Sequence, residues 1–162
     1  WKHLRYRATE RWLDGDGATF RPYTHYGVGG NTKFWGGVLY RLRREDFQAI
    51  EHMDGASPAW PIDYDTLAPY YDQVERLWGV AGLSGNSFQT PRGPYPMPPH
   101  PFSPPSKILK RGADRLGWNF HPAPMGANSV PYDGRPACEY CNNCLAGCPT
   151  GAKASIEAVK LP

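Results

Sequence analysis

Between residues 91 and 105 the chain carries eight prolines: Pro91, Pro94, Pro96, Pro98, Pro99, Pro101, Pro104 and Pro105. Each fixes φ and removes a backbone donor, so this stretch joins neither a helix interior nor a central strand. The constraint is general, because 18 prolines and 18 glycines are spread over 162 residues. A helical bundle, a coiled coil and a sheet of long strands are excluded; extended, loop-rich backbone held on a scaffold is expected. Phe88, Tyr95, Met97 and Phe102 predict that 82–105 packs on something and is not a disordered linker. With 40% apolar residues the chain can bury a core. Its basic excess, 18 Lys+Arg against 15 Asp+Glu, is too weak and dispersed for a nucleic-acid surface. No run approaches the about 18 apolar residues of a membrane span.

Local patterns predict short elements. Asp14-Gly15-Asp16-Gly17 lies between apolar residues, and a β-hairpin is expected over 11–20. Leu67, Tyr70, Tyr71, Val74, Leu77 and Trp78 recur at the helical period, predicting a helix over 64–78. Asp63 or Asp65 caps it, Pro69 fits its first turn or marks a break, and Gly79 ends it. Trp60 and this aromatic stripe read as core. A second helix is expected over 106–116, capped by Ser106 and closed by Gly117. Trp118-Asn119-Phe120-His121 alternates like a short strand, 44–49 allows one helical turn, and 152–159 looks helical. Residues 54–62 and 122–137 read as loops. Aromatics including Trp1 and Tyr6 crowd residues 1–26. The chain opens on Trp1 and stops at Leu161-Pro162, and it reads as an internal piece of a longer polypeptide.

All four cysteines fall in one run, Cys138-Glu-Tyr-Cys141-Asn-Asn-Cys144-Leu-Ala-Gly-Cys148-Pro149. The C-x2-C-x2-C-x3-C-P spacing is that of bacterial iron–sulfur ferredoxins. Closely spaced thiolates on an irregular loop can wrap a small cluster, while Gly147 and Gly151 let the loop turn and Pro149 stops it continuing as helix. Other chemistries stay open. Two disulfides can close within C-x-x-C pairs. A zinc site is open too, although its usual form separates two C-x-x-C pairs by a longer spacer. Free thiols are the fourth reading. With no remote cysteine, a single cluster with three or four ligands from this run is the consistent iron–sulfur choice.

The densest glycine stretch is Gly27-Val28-Gly29-Gly30-Asn31-Thr32-Lys33-Phe34-Trp35-Gly36-Gly37. Thr32 stands where a G-x-G-x-x-G fingerprint needs glycine, and neither an apolar strand nor an amphipathic helix flanks it, so it is not a Rossmann turn. A glycine-rich loop still brings backbone N–H groups close to a phosphate or a flat ring, with Asn31 and Thr32 able to add side-chain hydrogen bonds. The competing reading is a tight structural loop.

Three segments in this order resemble one family. They are the glycine stretch followed by Arg41 and Asp46-Phe47; Trp60-Pro61-Ile62-Asp63-Tyr64-Asp65 through Tyr70-Tyr71, Glu75 and Gly79-Val80-Ala81-Gly82; and Cys141 through Cys148-Pro149-Thr150-Gly151-Ala152-Lys153-Ala154-Ser155. The chain resembles the glucose–methanol–choline (GMC) flavoprotein oxidoreductases, most of all the bacterial sugar and gluconate dehydrogenase large subunits. The resemblance implies an α/β fold (mixed α+β, loop-rich) that is a fragment of a two-domain, FAD-binding, Rossmann-type flavoprotein with a substrate domain. Residues 1–50 would belong to the FAD-binding domain, 51–135 to a substrate-side insert with the Pro-rich loop, and 136–162 to the cysteine loop and the return to the FAD domain.

The same resemblance implies FAD contacts at Gly29, Gly30, Asn31, Thr32, Trp35 and Gly36. A relative attaches its flavin through a histidine near this segment; Phe34 stands at the matching position, so non-covalent FAD is implied. A [3Fe-4S] cluster in some relatives uses cysteines spaced as Cys138, Cys144 and Cys148 are, with Cys141 a spare thiol or a fourth ligand. Implied function is dehydrogenation of an alcohol group of a sugar or polyol, by hydride transfer to flavin N5. Electrons would pass through the cluster to an external acceptor such as cytochrome c, with a small accessory subunit, on the periplasmic side of a bacterial inner membrane. The family's upstream nucleotide-binding turn and catalytic histidine pair are not found in these residues, so no catalytic residue is nominated. His3, His25, His52, His100 and His121 match no motif and read as surface or packing groups. A stand-alone iron–sulfur electron-transfer module and a zinc-stabilised interaction domain are the alternative readings.

Overall fold

Extended backbone, not regular sheet, forms the centre of the molecule, as the proline and glycine content requires. The computed structural model describes residues 10–159; Trp1, His3 and Tyr6 lie outside the described residues. The centre is the stretch 125–128. Met125 exchanges both backbone hydrogen bonds with Ala81 at 2.9 Å, Gly126 N donates to Gly37 O at 2.7 Å, and Asn128 N donates to Ala152 O at 3.0 Å. Gly82 N adds a bond to Met97 O, at 3.2 Å, which anchors the Pro-rich segment. Val80, Ala81, Met97, Ala127, Ala152 and Ala154 are buried here. These are mostly small side chains, which lets the backbones approach closely. Residues 37–39, 80–82, 97, 125–128 and 152–154 thus meet as one knot of single bridges.

The hairpin over 11–20 forms as expected. β1 (Trp12–Leu13) pairs antiparallel with β2 (Thr19–Phe20), and Asp14 Oδ1 accepts from Asp16 N and Ala18 N in the turn. A second hairpin, β3 (Ile50–His52) with β4 (Gly55–Ser57), occupies part of the region expected to be loop. The expected helical turn is a single 3-10 turn at Arg44–Phe47, and the buried Phe47 ring packs on Trp60 and Tyr64. Trp60 nonetheless stays half exposed, against the expectation of core.

Helix α1 (Tyr64–Trp78) has the predicted bounds, with Asp63 Oδ1 accepting from Thr66 N at 2.8 Å and Gly79 closing it. Pro69 lies in the second turn, and the helix runs through it. The far end is satisfied from outside: Tyr132 Oη donates to Arg76 O at 2.9 Å and Arg135 Nη2 to Trp78 O at 2.7 Å. The aromatic stripe is not core, for Tyr70 and Val74 are exposed and the buried residues of α1 are Tyr64 and Glu75. What draws α1 inward is an ion cluster. Glu75 accepts from Arg41 Nε at 2.8 Å and Nη2 at 2.6 Å, and from Arg92 Nη1 at 2.6 Å and Nη2 at 2.5 Å. Arg41 Nη2 also reaches Asp72 Oδ1 at 2.5 Å. Burial opposes these charges, but the hydrogen bonds outweigh it. They hold the Glu75 carboxyl below its ordinary range and the Arg41 guanidinium above its own.

Helix α2 (Pro104–Arg115) starts two residues earlier than expected, and its cap is Ser103, not Ser106. Pro104 and Pro105 fill the first turn, where no amide donor is needed, and Ser103 Oγ accepts from Ser106 N at 3.3 Å. Gly117 follows the helix with φ 69°, as a stop residue should. Two expectations fail downstream. Residues 118–121 form no strand, and 152–159 is an extended bridge followed by one turn rather than a helix. In the second case Ala154 N donates to Gly126 O at 2.8 Å and Ala152 O accepts from Asn128 N at 3.0 Å, while the amides of Ala152 and Lys153 face Thr150 Oγ1 and Cys148 Sγ. Met97 is buried and Phe102 packs on Phe120, as predicted for a seated Pro-rich segment, but Phe88 is exposed.

Candidate functional site

The glycine stretch folds into a single 3-10 turn, Gly30–Lys33, entered through Gly29 at φ 87°. A side chain at Gly29 would be strained at that φ. The neighbouring polar side chains bond within the protein, from an exposed Asn31 and a half-buried Thr32. Thr32 Oγ1 donates to Gly29 O and accepts from Ile156 N at 3.1 Å. Asn31 Oδ1 accepts from His25 N at 3.0 Å, and its Nδ2 donates to Tyr23 O at 3.0 Å. Trp35 Nε1 donates to Ala154 O at 2.9 Å, and its ring lies so close to Gly126 that a Cβ there would stand 2.8 Å from it. Sequence reasoning offered Asn31 and Thr32 as side-chain contacts to a ligand; the structure uses both to lock the loop. Gly27 and Gly36 are exposed and Gly29 and Gly30 half-buried, beside the exposed Val28 and Asn31.

Lys153 holds this loop to the cysteine run. Its Nζ donates to Lys33 O at 2.8 Å, Trp35 O at 2.8 Å and Cys144 O at 2.6 Å, so all three ammonium donors are met. The residue is 2% exposed, and burial lowers its pKa below the ordinary lysine value. Sequence reasoning missed this role. The available signal was one cation inside the small-residue run Ala152-Lys153-Ala154-Ser155.

The cysteine run curls through left-handed conformations at Tyr140 and Asn142 and a 3-10 turn at Cys144–Ala146. Cys138, Cys141, Cys144 and Cys148 line one cavity of about 400 Å³, together with His100 and Phe120. His100 ties the loop to the central knot: its Nε2 lies 3.0 Å from Ala127 O and its Nδ1 3.2 Å from Tyr140 Oη. The thiols are free, and Cys141 is exposed. Burial pushes the Cys144 thiol up. Burial pushes Cys148 the same way, but Thr150 Oγ1 and Lys153 N, each 3.4 Å from its sulfur, bring it below its ordinary value. Among the described residues no three Cys, His, Asp or Glu side chains gather as a metal-binding group. The four thiols share a cavity without being drawn together as a ligand set. A second cavity of about 590 Å³ lies between this loop and the glycine stretch, bordered by Lys33, Gly147, Cys148, Gly151 and Glu157.

No family model matches the chain. It is 36% identical over 143 residues to 6‴-hydroxyparomomycin C oxidase of Streptomyces lividus, covering 86% of this chain and 26% of that protein. It is 36% identical over 143 residues to the fructose dehydrogenase large subunit of Gluconobacter japonicus, covering 83% of this chain and 26% of that one. The gluconate 2-dehydrogenase flavoprotein of Pantoea cypripedii matches at 23% over 176 residues, covering 90% and 28%. The chain belongs to the glucose–methanol–choline oxidoreductases. It spans about a quarter of the length of the curated relatives it matches. Among the described residues no helix is long and apolar enough to cross a membrane.

Proposed function

We propose that this chain is the part of an FAD-dependent dehydrogenase that seats the flavin, in an enzyme oxidising an alcohol group of a sugar or polyol. The observation that carries the reading is the similarity, over most of the chain, to proteins named as sugar and gluconate oxidases and dehydrogenases, one of them a flavoprotein. The residues fit the group. A loop that shows glycine backbone at Gly27, Gly29, Gly30 and Gly36, and whose Asn31 and Thr32 side chains are bonded within the protein, suits a flat ring or a phosphate approached closely by main-chain N–H.

Bound FAD supplies the hydride-accepting N5, while the protein supplies position and field. Gly29, Gly30 and Gly36 present the backbone surface. Asn31, Thr32 and Trp35 act one step back, fixing that surface through His25, Ile156 and Ala154. Lys153 ties its carbonyl side to the cysteine loop, so the surface cannot slide relative to 144–148. Residues 1–50 and 136–162 then form the flavin side, and 51–135 the substrate side. An external acceptor of the cytochrome class would take up the electrons. The thiols, not gathered as metal ligands, carry no electron step in this reading.

The test is spectroscopic. Protein expressed from its complete gene and purified with FAD should show resolved flavin absorption bands, bleached anaerobically by a sugar or polyol from a panel that includes fructose, gluconate and glycerol. Failure to retain flavin after reconstitution, or flavin that no member of the panel reduces, would overturn the reading.

A further inference from the structure

We propose that helix α2, with the segment that follows it, is a lipid-docking face that lies flat on a bilayer carrying anionic headgroups. The inference goes beyond the flavin reading and does not depend on it.

α2 divides into three rows at the helical period. Ser106, Lys110 and Ala113 seat the helix on the body, Ala113 buried and the other two half-buried. Ile108, Gly112 and Leu116, with Leu109 beside them, make an apolar row, and its three large side chains are 61–63% exposed. Trp118, just past the helix, and Phe88 are each 68% exposed. Their segments are tied together, for Asn119 Nδ2 donates to Asn86 Oδ1 at 2.9 Å and to Ser87 Oγ at 3.1 Å. Single exposed leucines need no explanation, but a group of large apolar side chains around one helix marks a contact surface.

Charge selects the partner. Lys107, Arg111 and Arg115 form the third row, each one residue before Ile108, Gly112 and Leu116, so cations border the apolar row along its length. All three are exposed, and among the described residues none forms an ion pair; the acid of this helix, Asp114, is taken by Lys110 at 2.8 Å. An apolar strip edged by unpaired cations, with a tryptophan at its end, suits the headgroup boundary of an anionic membrane. The apolar groups enter the acyl region, while the Lys and Arg stems reach back to the phosphates. At about 1.5 Å per residue α2 is too short to span a hydrocarbon core of about 30 Å, so it lies on the surface. A second copy of the chain would instead bring two cationic rows together.

Co-sedimentation with vesicles tests this, on protein expressed from its complete gene. The vesicles are phosphatidylcholine alone and an equal mixture of phosphatidylcholine and phosphatidylglycerol. The protein should bind the mixed vesicles about tenfold or more tightly than the neutral ones. Leu109→Ser with Leu116→Ser should weaken that binding about tenfold or more. Lys107→Gln, Arg111→Gln and Arg115→Gln should weaken it about fivefold per charge removed. These positions are exposed, so circular dichroism and melting temperature should not change. Absent vesicle binding, equal binding to both vesicles, or binding unaltered in the leucine variant would each overturn the proposal. A large loss of stability in the leucine variant would overturn it too, by showing that the rest of the polypeptide covers the row. So would a dimer of the native protein that the leucine variant abolishes, which would assign the row to a second copy.

Discussion

Glu75 and Lys153 show how two charged side chains organise a chain this poor in regular structure. Glu75, 5% exposed, neutralises two guanidiniums that would otherwise be buried unpaired. Glu75→Gln should cost about 3–5 kcal/mol, because a buried charge left without its partner is more harmful than the intact pair is helpful. The pH dependence has a definite sign. The folded pKa of Glu75 lies below its ordinary 4.5. Its contribution is therefore complete above about pH 4.5 and is lost as pH falls through the folded value. Urea midpoints measured from neutral to acid pH should drop in that window, and Glu75→Gln should flatten the drop. Lys153→Met keeps the apolar stem but strands the carbonyls of Lys33, Trp35 and Cys144. Destabilisation by about 3 kcal/mol is expected from denaturant titration, with faster proteolysis around residues 27–36. At this scale the sequence was only partly legible. Arg41 and Glu75 stood inside recognisable motifs, but nothing local says that a residue near 41, one near 75 and one near 92 share a carboxylate.

Among the elements, those whose signals are local came out as read. Asp63 and Gly79 bound α1, and the Asp-Gly run turned the first hairpin, because caps and turns satisfy their own backbone groups within a few residues. The start of α2 was misread because two prolines looked like a barrier rather than a first turn. Ser103→Ala should cost about 1 kcal/mol of thermal stability and Ser106→Ala clearly less, which calorimetry can separate. Equal effects would return the cap to Ser106. The 152–159 segment has helix-forming composition, yet Ala152 O and Ala154 N are bonded to Asn128 and Gly126, and tertiary pairing overrides propensity. The β3–β4 hairpin escaped notice because it is three residues a side, exposed, and carries no alternation.

Across the whole molecule, stability should be concentrated in the knot rather than spread over the elements. Hydrogen exchange is the measurement. The amides of Ala81, Met125, Gly126, Asn128 and Ala154, bonded within buried backbone, should be the slowest. Those of the exposed hairpins β1–β2 and β3–β4 should exchange orders of magnitude faster. Uniform protection would contradict this picture. By itself the sequence determined the loop-rich character, the place and ends of α1, the first hairpin, the glycine-rich turn and the clustering of the thiols. Each of these depends on the conformational limits of proline and glycine, on caps, or on side chains a few positions apart. Only the tertiary structure decided that Asn31 and Thr32 bond to His25, Tyr23 and Ile156, that Lys153 bridges residues more than a hundred positions away, and that the four thiols line a cavity without gathering as metal ligands. Those outcomes follow from how extended segments distant in the chain lie against one another, and neither periodicity nor spacing encodes that arrangement.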